Sequence, residues 1–114
     1  MGLFDFLSGD PTKKWTRDLF IGFVARTITS NDSALADDDL VFIDTSGGNV
    51  TLILMTANGR KRPFRAKNIG NAGNLATLDG ASAETIDGQT TYDLVDGDSV
   101  QIIPRTTSAW ETYK

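Results

Sequence analysis

The chain contains no cysteine and no histidine. Without cysteine, disulfide staples and thiolate metal sites are excluded. Without histidine, the commonest general base, the usual zinc ligand and the simplest pH switch are missing. Nucleophilic triads that depend on a histidine base go with them. Positive charge is also in short supply, with 11 basic residues against 15 acidic ones and a formal net charge of −4. That balance disfavours a nucleic-acid partner. Long apolar runs are absent. The longest, Leu19-Phe20-Ile21-Gly22-Phe23-Val24-Ala25, is too short to cross a membrane as a helix. Basic residues standing well inside the chain, and no clear small-x-small cleavage site, make it a poor secretory signal. These absences predict a soluble protein with no membrane partner, made in a reducing compartment. They predict no enzyme, no cofactor and no metal.

What is present suits one domain of 114 residues. A chain this short buries only about two-thirds of its unfolded surface, and association with further copies is an ordinary remedy. Residues 1–36 hold Trp15 and the phenylalanines Phe4, Phe6, Phe20 and Phe23, with no strong hairpin signal. Asp10-Pro11 is a good helix start, a capping carboxylate followed by a residue whose missing N–H costs nothing at the first position. Trp15, Leu19, Phe20, Phe23 and Val24 then fall near helical spacing. The β-formers from Phe20 to Ile28 make an extended strand the competing expectation. Residues 1–36 are therefore expected to form an N-terminal arm or short helix. Its aromatic residues either close the bottom of the domain's own core or dock on a neighbouring subunit. Left bare, they would form an apolar patch that monomers usually avoid.

Residues 37–114 show short apolar runs separated by Gly, Asn and Asp clusters, the pattern of an all-β domain. Strands are expected at Leu40 to Ile43, Val50 to Met55, Pro63 to Ile69, Leu75 to Leu78, Tyr92 to Val95, Ser99 to Ile103 and Ala109 to Tyr113. Asn58-Gly59 is the strongest hairpin signal. Val50, Leu52 and Leu54 alternate with Thr51, Ile53 and Met55, which predicts a strand buried on both faces. About seven short strands over this length predict a mainly β, compact sandwich-like or prism-like domain.

Most carboxylates fall in turns, where Asp is expected for backbone reasons, and no glycosidase-like pair stands out. Asp37-Asp38-Asp39 lacks the alternating ligands and the glycine of an EF-hand loop, and reads as a solvated strand entry. The glycine clusters fit neither a P-loop nor a dinucleotide fingerprint. One charge feature remains. Arg60, Lys61, Arg62, Arg65 and Lys67 gather five basic residues in eight positions. Such a stretch either guards an edge strand against unwanted pairing or contacts an acidic partner.

Several segments follow one another in a set order: Val50-Thr51-Leu52-Ile53-Leu54, Gly59-Arg60, Lys67-Asn68-Ile69-Gly70-Asn71, Glu84-Thr85-Ile86-Asp87-Gly88, Tyr92-Asp93-Leu94, Asp98-Ser99-Val100-Gln101-Ile102 and Trp110. Residues 49–113 thereby resemble the compact β-domain of bacteriophage fibre and virion-surface proteins. Met55-Thr56-Ala57 stands where that domain usually has a proline-containing loop. The resemblance implies a homotrimer, with Ile86 plugging one end of the core and Trp110 closing it. With about 36 residues ahead of the domain, a projecting fibre would be very short. The expected function is therefore a capsid decoration protein, made in the host cytoplasm and placed on the virion surface. Its partners would be further copies of itself and the major capsid protein or another virion structural protein. A tail-fibre or receptor-binding module, and a head–tail or baseplate adaptor, are the alternatives. The expected contact residues are Phe4, Phe6, Trp15, Phe20, Phe23, Arg60, Lys61, Arg62 and Arg65.

Overall fold

Short runs of β-branched and aliphatic residues, several of them ended by Gly, Asn or Asp, become short strands. The computed structural model describes residues 23–113. Among these residues there is no helix, and ten strands form two sheets. They are β1 (Ala25–Ile28), β2 (Asp32–Ser33), β3 (Leu40–Ile43), β4 (Val50–Ile53), β5 (Phe64–Asn68), β6 (Ala76–Asp79), β7 (Thr85–Ile86), β8 (Thr91–Leu94), β9 (Ser99–Thr106) and β10 (Ala109–Tyr113). The mainly β expectation holds. Two strands go beyond the expected set, β2 and β7, each only 2 residues long, while β1 falls in the stretch from Phe20 to Ile28 where an extended strand is the competing expectation. Strands β1 and β2 also bring residues ahead of position 37 into the sheets. The helix expected after Asp10-Pro11 lies outside the described residues.

Sheet A runs β1-β3-β5-β9-β10-β7 and sheet B runs β2-β4-β6-β8. Strands β1, β3 and β5 are parallel, in the register Ala25↔Leu40↔Arg65. Strands β2, β4 and β6 are also parallel, in the register Asp32↔Leu52↔Leu78. Parallel neighbours need a crossover connection. Here the crossover of each sheet is a strand of the other, so the chain winds through three coils like a short parallel β-helix. Antiparallel strands then close it: β8 on β6, β9 on β5 and β10 on β9.

This winding corrects two expectations. Strands β4 and β5 lie in different sheets, so Asn58-Gly59 is no hairpin. Gly59 does take a positive φ of 84°, but the turn carries the chain across the sandwich. Strand β4 is buried on one face only. Val50 and Leu52 point inward, whereas Ile53 points outward and is 44% exposed. No layer among the described residues covers that side.

The core lies between the sheets. Val41, Ile43, Phe64, Ala66, Val100 and Ile102 from sheet A meet Val50, Leu52, Ala76, Leu78 and Leu94 from sheet B. At the capped end, Ile86 and Trp110 are register partners on β7 and β10, both fully buried. Asp87 holds that closure. It adopts a φ of 52°, and its carboxylate accepts from the Thr112 amide and hydroxyl, each at 2.8 Å.

Asparagines tie successive coils together. Asn31 precedes β2, and its Oδ1 accepts from the Thr51 amide of the next coil at 2.8 Å. Asn49 precedes β4 and accepts in the same way from the Leu75 amide at 2.9 Å. Asn49→Ala is expected to lower stability by about 1 kcal/mol, the worth of one amide bond at a half-wet site. Urea denaturation measures it, and an unchanged midpoint would remove these asparagines as coil ties.

Candidate interaction surface

The expected basic patch divides into two parts with different environments. Arg60 is turned inward, and its side chain is only 4% exposed. Its guanidinium donates to the carbonyls of Arg62 at 2.9 Å, Ala36 at 3.1 Å and Pro63 at 2.8 Å. It also lies 6.0 Å from the centre of the Phe64 ring. Burial, with Arg62 close by, pushes its pKa below the usual arginine value. Arg62 is half exposed and pairs with Asp39 through Nε. It also donates to the Asp37 carbonyl at 3.2 Å. Lys61, between them, is exposed and makes no ion pair among the described residues.

Asp39 receives both arginines and Asp38 beside it receives Arg26; the two acids are 5% and 0% exposed. This corrects the reading of Asp37-Asp38-Asp39 as a solvated entry. Asp38 takes both oxygens to Arg26 Nε, at 3.1 and 3.0 Å, and accepts from the Leu35 amide at 2.8 Å. Asp39 accepts from the Val24 amide at 2.9 Å. Arg26 also reaches Asp32 at 3.4 Å. Burial opposes its charge, but the bonds to Asp38 and Asp32 outweigh that and raise its pKa. The acid–base cluster is a clamp that fastens the loop before β5 to the entries of β1 and β3. Glu84 adds a second tie, accepting from the Thr56 hydroxyl and from the Ala57 amide.

Arg65 is different. It and Lys67 alternate with the buried Phe64, Ala66 and Asn68, so both stand on the outer face of sheet A. Neither makes an ion pair or a side-chain hydrogen bond among the described residues. Around them the face carries Leu40, Phe42, Gln101 and Tyr113, which with both cations line an open groove of about 480 Å³. Tyr113 is 62% exposed. Free cations over an apolar floor can receive a partner that brings carboxylates and some apolar area. Lys67, Phe42 and Tyr113 were not among the expected contact residues. The period-2 pattern of residues 64–68 carried the signal for Lys67, but the neighbours across the sheet are set by register alone.

Of the arm residues, Phe4, Phe6, Trp15 and Phe20 lie outside the described residues. Phe23 is described, half-buried just ahead of β1. Among the described residues no three carboxylates group so as to hold a metal ion, and no helix is long and apolar enough to cross a membrane. No protein-family model matches this chain, and no curated protein matches it in sequence.

Proposed function

We propose that this chain is a non-enzymatic structural module of a phage virion, a decoration protein that binds the capsid surface as a homotrimer. The observation that carries the reading is the outer face of sheet A. Among the described residues Arg65 and Lys67 on it are unpaired, and Leu40 and Phe42 are half-covered, whereas the charges of the Arg60–Asp39 clamp are consumed within the fold. A surface that spends its charge internally serves stability. One that leaves two cations free beside Phe42 and Tyr113 serves association. The ordered resemblance of residues 49–113 to phage virion-surface domains supplies the kind of particle. The residues proposed for association are accordingly Arg65 and Lys67 with Phe42 and Tyr113, in place of Arg60 and Arg62. Aromatic residues of the arm remain candidates beside them.

Immunogold labelling of intact virions that carry the protein tests the location. Label spread over the head is the expected result. Label confined to the tail or its tip would replace the decoration reading with the fibre or adaptor one.

A further inference from the structure

The two outer faces of the sandwich carry opposite charge. On sheet A the outward side chains of β3 and β5 are Leu40, Phe42, Arg65 and Lys67, with no acid among them. On sheet B the outward side chains of β4, β6 and β8 are Thr51, Ile53, Thr77, Asp79, Thr91 and Asp93. None of the four strands of sheet B contains Lys or Arg. Register sets Asp79 directly between Ile53 and Thr91, and Asp93 beside Thr77. Asp93 accepts from the Thr77 hydroxyl at 2.7 Å. Neither carboxylate has an ion pair among the described residues. Each face also offers apolar area: half-buried Phe42 and exposed Tyr113 on one side, Ile53 on the other.

We infer that the outer face of sheet A of one copy receives the outer face of sheet B of the next. The inference rests on the reading of this chain as a self-assembling module, and it names the surfaces that meet. Sheet A on sheet A would oppose Arg65 and Lys67 to themselves. Sheet B on sheet B would oppose Asp79 and Asp93. Like charges at close range penalise both of these two-fold arrangements, whereas A on B pairs two cations with two carboxylates. The contact is therefore heterologous, the type from which cyclic trimers are built. It closes as a ring where the two faces are inclined to one another and runs on as a stack where they are parallel.

The test uses the full chain and two charge-reversed variants, Arg65→Glu/Lys67→Glu and Asp79→Lys/Asp93→Lys. Sedimentation equilibrium at low salt reads the mass. Wild type is expected to associate, and to do so more weakly at about 0.5 M salt, where screening shortens to a few ångströms. Each variant alone is expected to associate roughly tenfold more weakly or less. In an equimolar mixture association should return, because each A-to-B contact between unlike copies again joins opposite signs; a three-membered ring keeps one contact between like copies and recovers in part, whereas an open stack recovers in full. A fixed mass and a mass that grows with concentration both support the contact. Wild-type association that neither variant weakens, or a mixture that stays dissociated, overturns the A-to-B contact and leaves self-assembly standing. A wild type that stays monomeric at all concentrations overturns both. Circular dichroism checks that each variant folds. If one does not, Arg65→Gln/Lys67→Gln and Asp79→Asn/Asp93→Asn are measured instead, with loss of the salt dependence as the expected result and its persistence as the contrary one.

Discussion

Asn68→Ala is expected to lower the unfolding free energy by about 3–5 kcal/mol, from four lost bonds and the buried partners they leave behind. A domain of this size holds only about 5–15 kcal/mol in total. Asn68 ends β5 fully buried, at the position that continues the inward row Ile28↔Ile43↔Asn68. Its Oδ1 accepts from the Thr45 hydroxyl at 2.8 Å and the Gly70 amide at 2.9 Å. Its Nδ2 donates to the carbonyls of Asn74 at 3.1 Å and Leu94 at 3.0 Å. One side chain thus gathers four separate turns and strand ends, and both ends of its amide are used in full. Leucine would fill the space and orphan every partner. Aspartate would aim a second acceptor at two carbonyls. Gly70 completes the arrangement, because a Cβ there would stand 2.1 Å from Thr45 Oγ1. Urea unfolding followed by tryptophan fluorescence measures the effect, with Thr45→Val as a control expected to cost about 1 kcal/mol. An Asn68→Ala loss no larger than that control would show the hub to be a bystander.

The second large effect is expected at Asp39. Asp39→Ala removes the carboxylate facing Arg62 Nε, the Val24 amide and, at 3.5 Å, Arg60 Nη2. Breaking a buried pair by truncating one partner costs about 3–5 kcal/mol. Arg62 is half exposed and regains water, which places the expectation near about 3 kcal/mol. Arg60 has no such outlet and is left as a buried cation on three carbonyls. Lys61→Ala, between the two arginines, is expected to stay within about 0.5 kcal/mol. Thermal or urea unfolding of the two variants side by side decides the matter. Equal, small shifts would return residues 60–62 to the surface role that their charge suggests. The same logic makes Arg60→Glu a folding variant, so lost particle binding by it would not locate a contact.

Much of the local structure was legible. The strands at 40–43, 50–53, 64–68, 76–79, 91–94, 99–106 and 109–113 each contain a run of β-formers bounded by turn residues, and a strand needs little more. Burial within the strands was legible wherever alternation was strict, as in Phe64, Ala66 and Asn68 against Arg65 and Lys67. Ile86 and Trp110, expected as plug and closure of one core end, are register partners there. The failures share one cause. Asn58-Gly59 has the chemistry of a hairpin, but a hairpin also needs its flanking strands in one sheet, and the ties of Arg60 to Ala36 and of Glu84 to Ala57 send the chain to the other. Asp38 and Asp39 have the chemistry of a wet turn, but Arg26 and Arg62 arrive from 12 and 23 residues away to bury them.

By itself, then, the sequence determined the all-β character, the turn positions, the inward residues of the strictly alternating strands and the exclusion of cysteine and histidine chemistry. These follow from local backbone preference and from side-chain period, both properties of neighbouring residues. The tertiary structure alone decided the parallel winding, the use of Arg60 and Asp39 as a clamp, the placing of Asn68 at a junction of turns, and the division of free charge between two faces. Each depends on register between strands far apart in the chain. Register is set by the summed fit of the core and its buried hydrogen bonds, which no single segment contains.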